Sequence, residues 1–124
     1  MEEKKKFKKN FIKRIIAFAI KSLRFAKKLE KRRIFWPLID QLIRSSTSIG
    51  ANVIEAQSST SSKEYARFFE IALKSANETK YWLFLIKAVE PKLSSEIDRL
   101  LKELDEIAKI LGASILTLKG KKKK

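Results

Sequence analysis

Apolar residues recur along this chain at three- and four-residue intervals, the period of an α-helix with one side turned to a core. The clearest run is Leu93, Ile97, Leu100, Leu104, Ile107, Leu111, Ser114 and Leu118, which predicts a helix from about Ser94 to Leu118. Tyr65, Phe69, Ala72, Ala76, Thr79, Leu83 and Ile86 predict another from Ser62 to about Val89, ended by Pro91. Ser61-Ser62-Lys63-Glu64 reads as its capping box: the Ser61 hydroxyl on the Glu64 N–H, the Glu64 carboxylate reaching back. A helix near the start of the chain, from about Phe7 to Glu30, places Phe11, Phe18, Phe25, Ile15, Leu29 and their neighbours on one half and mostly Lys and Arg on the other.

The remaining segment is less regular. A helix starting near Ile34 takes Pro37 in its first turn, where the missing N–H is harmless. It then enters Ser45-Ser46-Thr47-Ser48-Ile49-Gly50-Ala51-Asn52, a stretch that propensity disfavours. Leu38, Leu42, Ser45, Ile49, Asn52 and Ala56 nevertheless keep helical spacing. Small side chains at this spacing let a second backbone approach, closest at Gly50, so packing rather than propensity must hold the helix. Four helices of about 25 residues joined by short loops, Ser58 to Ser62 among them, predict an all-α, antiparallel up-down-up-down four-helix bundle. Residues 7–118 form that bundle, 1–6 are a basic flexible N-terminus, and 119–124 are a lysine tail expected to be disordered.

Composition agrees and narrows the chemistry. Only 3 Gly and 2 Pro occur in 124 residues, too few for a turn-rich β fold. With no Cys and no His, the chain lacks thiol nucleophiles, imidazole acid–base groups and the Glu-x-x-His ligands of di-iron bundles. No phosphate-cradling Gly-rich loop or nucleophile elbow is present, and Glu103, Asp105 and Glu106 flank the leucine stripe and point to solvent. The chain therefore reads as non-enzymatic, with no cofactor, no metal and no small-molecule substrate. The basic start and the run Ile15 to Ile20 imitate a signal peptide, but that apolar run is only six residues long before Lys21 and no small-residue cleavage site follows. A cytoplasmic protein is expected.

Charge is unevenly placed. Residues 1–36 hold 14 basic and 3 acidic side chains and residues 119–124 add five lysines, whereas residues 37–118 are nearly balanced. Arg14, Lys21 and Lys28 follow one line at seven-residue spacing, with Lys13, Arg24, Arg32 and Arg33 around it. A 24-residue helix is about 36 Å long, enough to track many phosphates. These seven residues are the candidate nucleic-acid contacts, to RNA or DNA, without base readout. A lipid surface is the weaker alternative, because the bundle needs the apolar half of the helix. That apolar arc is about 180° wide where one core needs about 100°. The excess, with Phe11, Phe18 and Phe25 along its edge, suggests a contact with a second subunit. Arg44, Ser48, Asn52 and Glu55 share one face of the second helix, and Glu78 lies on the third. They are either a ligand site between the two helices or, the reading preferred here, a hydrogen-bonded network fixing register and assembly, since an orphan buried charge costs about 3–5 kcal/mol.

The middle of the chain resembles a known family. Gln41-Leu42-Ile43-Arg44-Ser45-Ser46-Thr47-Ser48-Ile49-Gly50-Ala51-Asn52-Val53-Ile54-Glu55-Ala56-Gln57, followed by Ala72-Leu73-Lys74-Ser75-Ala76-Asn77-Glu78-Thr79-Lys80-Tyr81-Trp82-Leu83, is similar to the pattern of the four-helix-bundle proteins of 23S ribosomal RNA intervening sequences. The resemblance implies an antiparallel bundle assembling as a ring-shaped homopentamer. The same architecture is similar to the basic pentameric accessory protein of diversity-generating retroelements, which works with nucleic acid. The family name describes where the genes lie and implies no reaction. The reading that follows is a homo-oligomer, five-membered by resemblance, that grips RNA or DNA through phosphates. Its alternative is an oligomeric scaffold for a protein partner with no physiological role in nucleic-acid binding.

Overall fold

In a computed structural model, which describes the backbone of residues 1–122 and the side chains of residues 1–120, α1 spans Glu2–Leu29. It opens five residues before the expected Phe7 boundary. Glu2 and Glu3 lie in its first turn, where carboxylates favour the positive end of the helix dipole, and the lysines that follow are good helix formers. The buried side of α1 is Phe11, Ile15, Phe18, Ser22, Phe25, Ala26 and Leu29. The phenylalanines thus sit at the centre of the buried arc, not at its edge as expected, because α1 docks between two other helices and aims this line between them.

A tight corner follows. Arg32 is extended, Arg33–Phe35 make one 3-10 turn, and Phe35 is fully buried. The Trp36 indole N–H donates to the Glu30 carbonyl at 2.8 Å and pins the corner. α2, Trp36–Ala56, carries Pro37 in its first turn and runs unbroken through the serine-rich segment. Gly50 explains the continuity: a Cβ there would lie 3.0 Å from Cγ2 of Ile15, so the missing side chain is what lets α1 and α2 approach.

α3 spans Ser62–Val89. Its Glu64 N–H donates to Ser61 Oγ at 3.1 Å, as the capping box requires. The Glu64 carboxylate reaches one residue farther than expected, accepting from the Thr60 N–H at 3.3 Å and the Thr60 hydroxyl at 3.2 Å. The Glu90 N–H closes the helix on the Ile86 carbonyl, Pro91 opens a 3-10 turn to Leu93, and α4 follows over Ser94–Lys122. α4 runs past the Leu118 boundary drawn from the sequence. The rest of the lysine tail, residues 123–124, lies outside the described residues. Along α4, Ile97, Leu100, Leu104, Ile107 and Leu111 are buried, after which burial passes to Ile115 rather than Ser114. A straight helix has 3.6 residues per turn, so a 3-4 stripe drifts off the core after about two heptads.

The protein is all-α, with four long helices and no strand among the described residues. Each helix packs against its sequence neighbours, and α1 also meets α4. Ser45 and Ser48 of α2 meet Thr79 and Ser75 of α3; Lys80 and Lys87 of α3 meet Asp105 and Asp98 of α4; Arg14 and Lys28 of α1 meet Glu103 and Glu96 of α4. In every set the partner number falls as the first number rises.

Candidate nucleic-acid interface

The seven candidate cations on and after α1 do not form one free surface. Arg14 is held by α4: its Nε and Nη2 donate to the two Glu103 carboxylate oxygens at 3.2 and 2.6 Å, and Nη2 also reaches Glu106 at 2.6 Å. Hydrogen bonding and attraction to Arg14 hold the Glu103 carboxyl below the usual carboxylate value, and the same contact raises the Arg14 pKa. Lys28 lies 2.9 Å from Glu96, and Arg32 pairs with Glu90. The line at seven-residue spacing therefore marks the α1–α4 seam, and its sequence signal is that of an inter-helix salt-bridge row. Glu103 and Glu106 do not simply point to solvent. They are the acids of that row.

Lys13, Lys21, Arg24 and Arg33 are exposed and have no ion-pair partner among the described residues. The Arg33 guanidinium stacks 5.4 Å from the centre of the Trp36 ring, and Arg32 lies over Phe35. Lys31, beside the seven-residue line, and Lys6, Lys9 and Lys27, which that line does not pick out, are likewise exposed and have no ion-pair partner among the described residues. Lys6, Lys9 and Lys27 recur with Lys13 and Arg24 at helical spacing along the side of α1 opposite its buried arc, and Lys31 follows in the turn after the helix. A shallow cleft of about 490 Å³ between α1 and α4 adjoins this side and gathers Lys21, Arg24, Lys28 and Arg99 against Glu96 and Glu103. Arg99 escapes sequence reasoning because it lies on the far helix in a charge-balanced stretch.

The apolar surplus of α1 is real but displaced from the phenylalanine edge. Ile16, Ile20 and Leu23 lie at i, i+4 and i+7 and remain 44%, 43% and 40% exposed. On α2, Ile54 is 49% exposed. Ile16 and Leu23 are the part of the 180° arc that one chain does not cover, and Ile20 lies next to them on the basic side of the helix.

The expected polar network needs correction within a chain. Arg44 and Glu55 are exposed and have no side-chain hydrogen bond among the described residues, and exposed Glu78 accepts only from the Trp82 indole, at 3.3 Å. The network that forms is of hydroxyls. Ser75 Oγ donates to Ser48 Oγ at 2.9 Å, and Asn52 Nδ2 donates to the Ser48 hydroxyl at 3.0 Å and its carbonyl at 2.8 Å. Thr79 Oγ1 lies 2.8 Å from both Ser45 Oγ and the Ser75 carbonyl. Ser48 thus belongs to the α2–α3 seam and Asn52 supports it from within α2, whereas the charged residues flank it: hydroxyls lose little on burial once paired, and charges lose much. No group of three acidic side chains able to hold a metal ion occurs among the described residues, and no helix is long and apolar enough to cross a membrane.

A bundle of four long helices with a seam of serines and a lysine-rich first helix defines a recognisable class. The sequence pattern of the 23S rRNA-intervening sequence proteins matches residues 8–113, and the chain belongs to that family. It is similar to a solved structure of a protein of unknown function from the S23 ribosomal protein family of Bacteroides thetaiotaomicron: 32% identical, covering 85% of this chain and 97% of the other, with a TM-score of 0.80. No curated protein matches the chain.

Proposed function

We propose that this protein is a non-enzymatic, antiparallel up-down-up-down bundle of the cytoplasm that assembles with copies of itself and binds RNA or DNA through phosphates. The opposed numbering of the inter-helix pairs supports the antiparallel order. The observation that carries the binding reading is the outward side of α1 and the turn after it, where Lys6, Lys9, Lys13, Arg24, Lys27 and Lys31 face solvent without a carboxylate partner among the described residues. Cations already neutralised by Glu90, Glu96, Glu103 and Glu106 contribute less. Ile16, Ile20 and Leu23 supply the apolar contact for self-assembly. Five copies is the number the family resemblance implies, and a ring would repeat the basic side into a large positive field.

The test is a salt titration of binding to structured RNA and to duplex DNA by Lys13→Gln/Arg24→Gln/Lys27→Gln/Lys31→Gln. Each phosphate contact contributes about 0.9 to the slope of log affinity against log salt on duplex DNA, so the fourfold variant should lose up to about 3.6 from that slope and most of its affinity. An unchanged slope refutes the reading. A scaffold for a protein partner is the second reading, favoured by Tyr81, Phe84 and Val89, all more than half exposed on α3. It predicts a partner retained by the same fourfold variant.

A further inference from the structure

At one end of the bundle the first turns of α1, the α2–α3 loop and the last turns of α4 enclose an open groove of about 850 Å³, within the range of sites that take small ligands. Its wall is aromatic: Phe7 and Phe11 from α1, Tyr65 and Phe69 from α3. Phe7 is 60% exposed, and Tyr65 and Phe69 are stacked with ring centres 4.8 Å apart. Lys4 and Lys8 stand at the rim with Glu3, and the Lys8 ammonium lies 5.4 Å from the centre of the Tyr65 ring. The loop contributes Ser59, whose Oγ is buried and has no hydrogen-bond partner among the described residues.

We propose that this groove takes an unpaired nucleobase of a single-stranded RNA or DNA segment, stacked on the exposed Phe7 ring beside the Tyr65–Phe69 pair, with its phosphates on Lys4 and Lys8. Base–aromatic stacking beside a cationic track is the general means of gripping single strands, since every base presents a π face. The rim selects an anion: two lysines stand against one glutamate, and Lys5, Lys6 and Lys9 follow on the same short stretch of α1. An aromatic wall and a polar loop suit a flat heterocycle better than an acyl chain. The inference rests on the phosphate-binding reading above and adds to it a preference for unpaired segments, which the outward lysines of α1 alone do not provide.

The experiment uses the full chain, fluorescently labelled 12-nucleotide single-stranded oligo(U) and a 12-base-pair RNA duplex, with anisotropy read at one fixed salt concentration. Phe7→Ala, a change at an exposed position, should weaken single-strand binding roughly tenfold and leave duplex binding within about twofold. Lys8→Gln should weaken the single strand more than the duplex. A 5-iodouridine oligonucleotide should photocrosslink to the peptide containing Phe7 or Tyr65. Equal loss on both probes, no loss on either, or a change of solution mass in Phe7→Ala (the groove then holding another copy) overturns the proposal. So does stabilisation by an acyl carboxylate without any single-strand preference. Duplex binding that persists while Phe7→Ala is silent sinks the groove and spares the basic face. Single-strand binding that depends on Phe7 with no duplex binding sinks the basic face and spares the groove.

Discussion

Two glycines in similar helical settings carry opposite predictions. At Gly50 a methyl group would sit 3.0 Å from Cγ2 of Ile15, itself buried and β-branched, with one strongly preferred rotamer in a helix. Overpacking of this kind costs about 1–3 kcal/mol, against a gain in helix propensity of about 1. Gly50→Ala should therefore lower stability by about 1 kcal/mol in denaturant titration, and Ile15→Leu, which has no Cγ2, should recover part of the loss. At Gly112 nothing lies within 4 Å of an added Cβ, and Gly112→Ala should stabilise by about 0.5–1 kcal/mol. The tightness of Gly50 can be read from the small residues around it, but its partner cannot, because Ile15 is 35 positions away. At the α2–α3 seam, Thr79→Val removes the hydroxyl 2.8 Å from Ser45, which is left with the Leu42 carbonyl at 3.4 Å. A loss of about 1 kcal/mol is expected. A melting temperature equal to wild type would show the hydroxyl seam to be energetically silent.

At the scale of elements, the seven-residue line of α1 shows how one pattern admits two structures. Arg14, Lys21 and Lys28 would be spaced identically on a free basic face and along a seam. Only the register of α4, which brings Glu96, Glu103 and Glu106 opposite, separates the two. The Arg14–Glu103 contact is bidentate but part-exposed, so its value at neutral pH is on the order of 1 kcal/mol or less and falls with added salt. Its pH dependence has a definite sign. Because Arg14 holds the Glu103 carboxyl below its ordinary value of 4.5, the charged form is favoured by folding. The contribution is present above about pH 4.5 and is lost as pH falls through the lower folded value. The stability gap between wild type and Glu103→Gln should shrink on acidification below pH 4.5 and stay flat above it; a gap that widens in acid would contradict the pairing.

For the whole molecule, the proposed assembly is tested at the strip Ile16, Ile20 and Leu23. These side chains lie outside the single-chain core, so Ile20→Glu/Leu23→Glu should leave helix content and the monomer fold intact while reducing the mass in light scattering toward that of one chain. A mass that does not change would move the subunit contact elsewhere. If the ring forms, its loss should also weaken polyanion binding, since fewer basic sides act together on one polymer.

Helix number, helix order and most of the buried stripe follow from periodicity, because each helix must bury one side and the period of that side is local. The start of α3 follows from Ser61 and Glu64 for the same reason: a cap involves residues three positions apart. The residues that face one another are a different matter. Which lysines are neutralised, which phenylalanines are central and which hydroxyls pair depend on the rotation and register of helices far apart in the chain. No pattern within one helix encodes the angle at which its neighbour arrives. The unpaired cations and the aromatic groove are therefore products of packing, while the helices that carry them are products of spacing.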